Sequence, residues 1–225
     1  GIEPPIWAAM LANHCRSRGF GVSILDTEAE RLSAGDAAKI IDDANPKLVC
    51  MVVYGQQPSA SSQNMEAATD LSKEIKRINP NLKILFVGPH VAAFPDEVLR
   101  DEPSIDFVCQ NEGVYTISDF LSVSDNTNLE YISKVAGLGY RDESGAIILN
   151  QMSKIVARRD LEKDLPGLAW DLLPDINKYR TAGWHAWPNK TEKSPFASIY
   201  TSLGCPYKCS FCMINVVNRN DNARI

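Results

Sequence analysis

Short apolar runs alternate with helical patterns through the first 125 residues of this chain. Each run is rich in Val, Ile, Leu or Phe, which is typical of a buried strand. The runs are VSIL at 22–25, LVCMVV at 48–53, KILFV at 83–87 and DFVC at 106–109. Strands that alternate with helices in this way form a parallel α/β sheet with helices on its faces.

Two helices are predicted around these runs. Apolar side chains recur at helical spacing over 62–78, and Asn79-Pro80 then ends that helix. Another helix is predicted over about 6–18, before Gly19, and no strand precedes it. A doubly wound domain normally begins with a strand, which is central in the flavodoxin-like order 2-1-3-4-5. We therefore expect either that the natural protein begins earlier or that another segment fills the central position.

The pattern changes after residue 125. VAGLGYRD, ESGA and IILNQ predict a β-hairpin with Gly145 in its turn. Residues 165–195 are rich in Pro, Gly and Trp and predict an ordered linker, and ASIYTSLG at 197–204 predicts a strand. We expect three units: a domain at 1–125, a hairpin and linker at 126–195, and the start of a further domain at 196–225.

Charge and hydropathy exclude several classes of partner. The 225 residues carry a formal net charge of -5, and neither sign forms a long run, so nothing favours nucleic acid or an anionic membrane. No apolar run approaches the ~20 residues that span a bilayer. A secretory leader is not recognisable at Gly1, and the expected location is the cytoplasm.

The six cysteines fall into two groups. Three lie in separate apolar segments and are expected to be buried thiols: Cys15, Cys50 and Cys109. Three lie close together in SLGCPYKCSFCMI: Cys205, Cys209 and Cys212. This division favours buried thiols with one metal site over the disulfide framework of a secreted protein.

The clustered cysteines predict a metal site in a loop, because Gly204 and Pro206 disfavour a regular helix around Cys205. A structural zinc site usually has four protein ligands, and only His185 is a candidate for the fourth. A [4Fe-4S] cluster held by three cysteines would leave one iron open to a substrate or cofactor. Zinc, another metal, and thiols without a ligand role remain alternatives at this point.

The C-x3-C-x2-C spacing, with an aromatic residue before the last cysteine, resembles the radical S-adenosylmethionine superfamily. The resemblance implies that Cys205, Cys209 and Cys212 hold a [4Fe-4S] cluster and that Phe211 lies near the adenine of S-adenosylmethionine. It also implies that the open iron binds S-adenosylmethionine and that an external electron donor drives its cleavage to a 5′-deoxyadenosyl radical. In that superfamily the motif follows the first strand of a partial TIM-like barrel. We therefore expect that this chain alone does not turn over substrate.

Polar loops follow three of the apolar runs, where open α/β sheets bind ligands. YGQQPSASSQN follows 48–53, Gly88-Pro89-His90 follows 83–87, and Gln110-Asn111-Glu112-Gly113 follows 106–109. Each loop taken alone could equally be a helix cap or a turn.

Three segments together resemble the cobalamin-binding domain that precedes the radical domain in one subgroup of the superfamily. They are PPIWAAMLANHCRSRGFGVSILD, VGPHVAAFPDEVL and DFVCQNEG. The resemblance implies a Rossmann-like (flavodoxin-like) sheet. It also implies a corrinoid pocket lined by Tyr54, Gly55, Gln56, Ser59, Ser61, Gly88, Pro89, His90, Glu112 and Gly113. The Asp-x-His-x-x-Gly motif, whose histidine ligates cobalt in other cobalamin domains, is absent.

The three histidines are interpreted separately. His14 lies within the first predicted helix without partners at ligand spacing, and we expect it to be structural. His90 is the better functional candidate because it lies in a loop at a strand end, although a turn role is equally consistent. His185, between Trp184 and Trp187, is expected to pack at the junction.

These resemblances imply the amino-terminal part of a cobalamin-dependent radical S-adenosylmethionine enzyme. The pattern is most similar to the group of the anaerobic magnesium-protoporphyrin IX monomethyl ester cyclase, with cyclisation or C-methylation of a tetrapyrrole or another small molecule as the reaction. One alternative is a stand-alone corrinoid-binding methyl carrier with a structural metal site. Another is a flavodoxin-like nucleotide-binding or response-regulator-like domain, which the strand pattern alone also allows.

Overall fold

The computed structural model describes residues 2–55, 60–123, 128–180, 195–207, 209–212 and 214–218. The strands are β1 (Val49–Val52), β2 (Ile84–Val87), β3 (Phe107–Cys109), β4 (Leu138–Arg141) and β5 (Ile147–Leu149). The helices are α1 (Ile6–Ser17), α2 (Ala34–Ala44), α3 (Ala60–Ile78), α4 (Pro89–Ala93), α5 (Pro95–Asp101), α6 (Val114–Ser122), α7 (Leu129–Ile132), α8 (Leu161–Asp164) and α9 (Ile214–Asn218). Short 3-10 turns lie at Arg158–Asp160, Trp170–Leu172 and Ile176–Lys178.

All five strands form one sheet in the order β1-β2-β3-β4-β5. β1, β2 and β3 are parallel, and they confirm the strands predicted at 48–53, 83–87 and 106–109. The helices predicted over about 6–18 and 62–78 are confirmed as α1 and α3. The α/β fold class is confirmed.

The predicted hairpin is confirmed as β4 and β5, with Gly145 at a φ of +82° in the connecting turn. Its position changes the predicted sheet, because β4 pairs antiparallel with β3 and makes the sheet mixed, not wholly parallel. Gly139 of β4 lies so close to β3 that an added Cβ would be 2.7 Å from Val108 Cγ2. The hairpin therefore continues the same sheet, and the predicted unit boundary at residue 125 stays a prediction.

The strand predicted at 22–25 is wrong, because these residues have no regular secondary structure. VSIL has the composition of a strand, but composition does not supply a neighbour with which to pair. These residues and β1 line the same cavity, of about 980 Å³. The order 2-1-3-4-5 is consequently not seen among the described residues, whose strands lie in chain order.

The strand predicted at 197–204 is also wrong. The described backbone there forms no ladder: Leu203 makes an isolated bridge, and another isolated bridge joins Arg180 to Pro195 just before this segment. Ile199 is 69% exposed, so its side chain lacks the packing surface that stabilises an apolar strand. The predicted linker is described only over 165–180, where Tyr179 is fully buried and donates a 2.9 Å hydrogen bond to Asp26. His185 lies outside the described residues.

Both faces of the sheet are covered by helices. Side chains alternate along β2, so Leu85 and Val87 pack with α1 and α6, whereas Ile84 and Phe86 pack with α3 and α5. All four side chains are fully buried, as expected for a strand covered on both faces. None of the helices in the described ranges is long and apolar enough to cross a membrane. The carboxyl ends of β1, β2 and β3 all open at one edge of this sheet.

Candidate functional site

The ends of β1 and β2 are locked together at this edge. Val53 donates its backbone N–H to the carbonyl of Val87 at 2.8 Å. Gly88 then passes so close to Val53 that an added Cβ would lie 2.2 Å from the Val53 carbonyl oxygen. Gly55 is similarly crowded, because an added Cβ would be 2.4 Å from Ala60 Cβ. Glycine at position 88 therefore lets the two loops approach each other closely, and glycine at position 55 lets the chain after β1 lie against the start of α3.

Ser61, in the first turn of α3, joins the two loops. Its hydroxyl donates to the Val53 carbonyl at 2.5 Å and accepts from the His90 backbone N–H at 3.1 Å. The side chain is completely buried. Ser61 therefore holds the loops in place, and its hydroxyl faces protein groups.

His90 lies in α4, directly after Gly88 and Pro89. Its Nδ1 is 2.9 Å from the Ser62 hydroxyl, and its ring lies 5.3 Å from that of Phe94. Burial lowers the pKa of His90 below its ordinary value, although the charge of Glu97 opposes this. The imidazole is consequently neutral at pH 7 and presents a polar, uncharged group beside the strand ends.

Tyr54, which follows β1, stacks on Trp7 of α1 with ring centroids 5.1 Å apart and planes at 22°. Trp7 donates its indole N–H to the Glu112 carbonyl at 3.2 Å, which connects the ends of β1 and β3. Asn64 donates to the Tyr54 carbonyl at 2.7 Å. Sequence reasoning missed Trp7 and Asn64. A tryptophan two residues after Pro5, in the first turn of a predicted helix, was the available signal for Trp7.

The loop after β3 turns into the protein. Glu112 is 1% exposed, and its Oε1 accepts the Val156 backbone N–H at 2.6 Å. Asn111 donates to the Ser153 carbonyl at 2.8 Å, and Gly113 adopts a φ of +81° that favours glycine. This loop therefore attaches residues 153–156 to the sheet, a contribution that its sequence did not reveal.

The cysteine segment differs from these loops. Cys209 is exposed, Cys205 and Cys212 are half-buried, and Phe211 is 88% exposed. Over the described ranges, no group of three His, Cys, Asp or Glu side chains could hold a single metal ion. A [4Fe-4S] cluster makes a different demand, because each thiolate binds its own iron, and three cysteines without disulfides are a suitable donor set. The segment is tied to the site through α9, which contacts α4, with Val217 buried.

The structure thus brings together most of the predicted corrinoid residues. Tyr54, Gly55, Ser61, Gly88, Pro89 and His90 share the ends of β1 and β2. Glu112 and Gly113 lie alongside, connected through Trp7. Gln56 and Ser59 lie outside the described residues. Phe211 and the clustered cysteines lie on a separate segment, in which Cys209 and Phe211 are exposed.

Residues 1–121 match the family described as the B12 binding domain. The chain belongs to the B12-binding domain family. This membership confirms the resemblance to cobalamin-binding domains that the sequence predicted. The loops at the strand ends therefore belong to a cobalamin-binding fold. It also removes the reason for a nucleotide-binding or response-regulator-like interpretation, which rested on the strand pattern alone.

Several known proteins are similar to this B12-binding chain. It is 32% identical over 210 residues to the uncharacterized methyltransferase PH0819 of Pyrococcus horikoshii, covering 93% of this chain and 40% of that protein. It is 24% identical over 209 residues to the anaerobic magnesium-protoporphyrin IX monomethyl ester cyclase of Synechocystis sp., covering 93% and 38%. The chain therefore spans about two fifths of the length of these relatives.

A solved structure shares the fold. The cobalamin-dependent S-adenosylmethionine radical enzyme OxsB, with aqua-cobalamin and S-adenosylmethionine bound, aligns with a TM-score of 0.68 at 22% identity. The alignment covers 93% of this chain and 26% of that one. At this identity the likeness shows the fold, and the Rossmann-like class predicted from the sequence is confirmed.

Proposed function

We propose that this chain is the cobalamin-binding part of a cobalamin-dependent radical S-adenosylmethionine enzyme of the cyclase or C-methyltransferase type, acting in the cytoplasm. The observation that carries the proposal is the locked edge at the ends of β1 and β2, within a chain of the B12-binding family. An edge held by buried hydrogen bonds already has its shape in the absence of a ligand. The free-energy cost of ordering the site on binding is therefore small.

The polar groups along this edge suit a corrinoid. Ser62, Asn64 and His90 offer hydroxyl, amide and imidazole groups, and burial favours the uncharged imidazole. Tyr54 lines the same edge with its hydroxyl buried. A corrin ring carries neutral amide side chains, which hydrogen-bond to groups of this kind. Gly55 and Gly88 let the backbone pack tightly at the strand ends, because an added Cβ would meet Ala60 or Val53, and this packing fixes the shape of the edge. The remaining proposed lining residues are Gln56, Ser59, Ser61, Pro89, Glu112 and Gly113.

The same proposal assigns Cys205, Cys209 and Cys212 to a [4Fe-4S] cluster, with Phe211 beside the adenine of S-adenosylmethionine. Its support is the cysteine spacing together with the contact of α9 with α4, the helix that carries His90. When bound, the cluster and S-adenosylmethionine supply radical chemistry with an external electron donor, and cobalamin supplies methyl or redox chemistry. The substrate is a small molecule, a tetrapyrrole or another compound. Residues 126–195 would connect the two cofactor regions.

The test uses the full-length protein, reconstituted without oxygen with iron, sulfide and hydroxocobalamin. We expect a corrinoid spectrum, visible iron-sulfur absorbance, and 5′-deoxyadenosine from S-adenosylmethionine. Cys209→Ala should remove the iron-sulfur absorbance and the 5′-deoxyadenosine, and it should keep the corrinoid spectrum. The matched variant Cys50→Ala should keep all three signals. Failure to bind a corrinoid would contradict the cobalamin assignment.

A stand-alone corrinoid methyl carrier is the second candidate function. The match of residues 1–121 to the B12-binding family supports it, because those residues include none of the three clustered cysteines. It predicts a corrinoid complex without cleavage of S-adenosylmethionine by the full-length protein. The 5′-deoxyadenosine assay therefore decides between the two functions.

A further inference from the structure

The three clustered cysteines lie between two apolar contacts with the rest of the chain. Leu203, two residues before Cys205, is half-buried and packs against the apolar cluster formed by α1, α6 and one face of the sheet. Val217, five residues after Cys212, is only 4% exposed. Phe211, which lies between these two contacts, is almost fully exposed. The cysteine loop therefore has an exposed middle and two ends that are packed on protein.

The second of these contacts is made by α9 on α4. Among the described helices and strands, α4 is the one against which α9 packs most closely. Val217 is buried, whereas Ile214, Asn215 and Val216 of the same helix are half-buried. On a short helix the buried side chain faces the element on which the helix packs. Val217 is therefore the natural candidate for the contact with α4.

α4 is a firm support for α9 because it is tied to the ends of β1 and β2. It begins directly after Gly88, whose carbonyl accepts the Ala92 backbone N–H at 2.9 Å. The His90 backbone N–H donates to the buried Ser61 hydroxyl at 3.1 Å. Val91 and Ala92 are both buried. α4 therefore keeps its position relative to the strands, and a helix that packs on it is held beside them.

Only a short stretch of chain separates α9 from the last two cysteines. α9 begins two residues after Cys212, and the Cys212 backbone N–H donates to the Cys209 carbonyl at 3.1 Å. This hydrogen bond closes a turn that carries both thiols. A shift of α9 would consequently move Cys212 and Cys209, whereas Cys205 lies closer in the chain to the contact of Leu203.

We propose that the α9–α4 contact positions the clustered cysteines and that Val217 is its positioning residue. Val217 on one side and Leu203 on the other restrict the loop between them, so the thiols sample fewer arrangements. Three thiolates that bind one cluster then lose less conformational entropy on binding. The contact also keeps the loop beside the helix of His90, at the edge proposed for the corrinoid. The cluster rests on the proposed function, whereas the contact itself joins two segments of this chain.

The first test needs no cofactor. Alkylation of each cysteine by iodoacetamide is followed by mass spectrometry in this chain, kept free of iron. Val217→Ala should speed alkylation of the half-buried Cys212 at least about threefold, because the loop loses one contact and opens locally. Val216→Ala, on the same helix, is the matched control and should leave the rate unchanged, and Val217→Ile should restore it. The buried Cys109 reports opening of the whole domain and should react equally slowly in every variant.

The second test measures how fast a chelator removes iron from the reconstituted full-length protein. Val217→Ala should lose iron at least about threefold faster than Val216→Ala, because its thiolates are held less firmly. Corrinoid binding in the same samples should be equal for both, since Val217 lies outside the ends of β1 and β2.

Equal Cys212 alkylation in Val217→Ala and Val216→Ala would overturn the proposal. If Val217→Ala also exposes Cys109, the whole domain has opened, and Val217→Thr, which keeps the branched shape of the side chain, must meet the same expectations. Faster alkylation of Cys212 together with unchanged iron release would also overturn the positioning role. Failure of the unchanged protein to hold iron would contradict the proposed cluster, and the alkylation rates would then decide the α9–α4 contact alone.

Discussion

At the ends of β1 and β2, Ser61, Gly88 and Pro89 are buried, and the Ser61 hydroxyl hydrogen-bonds to backbone groups of both loops. Around the clustered cysteines, by contrast, Ile199, Tyr207 and Phe211 are 69%, 72% and 88% exposed. The first region is shaped by contacts within this chain. The second exposes apolar groups, which mark surfaces that other groups cover. Corrinoid binding should therefore depend on the first region alone, and cluster binding on what packs against the second.

The largest effect separates the two regions directly. Cys209→Ala in the reconstituted full-length protein should abolish the iron-sulfur absorbance, because one thiolate ligand is lost. Corrinoid binding should not change, since Cys209 is exposed and lies outside the ends of β1 and β2. Iron content and the corrinoid spectrum measured on the same sample check both statements. Iron retained at the wild-type level would contradict the ligand assignment.

Gly88→Ala should damage the strand ends. The added methyl would lie 2.2 Å from a backbone oxygen that cannot move without disturbing β1. We expect the free energy of unfolding to fall by about 3 kcal/mol and corrinoid affinity to fall with it. Gly21→Ala is the matched control, because nothing lies within 4 Å of its added Cβ. Equal urea midpoints for the two variants would contradict the close contact of Gly88 with the Val53 carbonyl oxygen.

Glu112→Ala should have a smaller effect. It leaves the buried Val156 N–H without its 2.6 Å acceptor, at a cost of about 2 kcal/mol. Thermal unfolding should show the loss, and proteolysis should cut near 153–156 more readily. Glu143→Ala, at an exposed turn position, should change neither measurement. Corrinoid affinity that falls further than stability would show that Glu112 also contacts the ligand.

The pH dependence of stability should show the smallest effect. Burial lowers the pKa of His14 and of His90 below the unfolded value near 6.5. At lower pH the unfolded state therefore binds more protons, so the histidine contribution is present above about pH 6.5 and is lost as the pH falls. His14 is fully buried, and its Nδ1 donates to the Asp164 carbonyl at 2.5 Å, close to Arg18 and Tyr115.

Urea unfolding from pH 7.5 to 5.5 measures this dependence. His14→Asn keeps a donor near the position of Nδ1 and removes the titration, so the slope below pH 6.5 should become shallower. A slope identical to that of the unchanged chain would exclude His14 as a contributor. The structural role expected for His14 agrees with its burial and its bond to Asp164.

Local patterns predicted the elements that carry a clear period or boundary signal in their own sequence. β1, β2, β3, α1, α3 and the hairpin followed from period, turn residues and helix caps. The patterns failed at 22–25 and 197–204, where strand composition is present but pairing is not. Pairing depends on residues distant in sequence, and no local pattern encodes it.

The site shows the same division. Gly88 and His90 could be located from the strand-end rule, because the rule depends only on where a strand stops. Trp7 stacks on Tyr54, 47 residues away, and Glu112 accepts a hydrogen bond from Val156, 44 residues away. No residue spacing in the sequence predicts either contact.

Titration of this chain with hydroxocobalamin, in the absence of iron and S-adenosylmethionine, tests the central claim most directly. Trp7 lies against Tyr54 at the proposed site, so its fluorescence and the corrinoid visible spectrum should change together. We predict saturation at a single corrinoid per chain, unchanged in Cys209→Ala and weakened in Gly88→Ala. A chain that leaves the corrinoid spectrum unaltered and elutes without it would contradict the account.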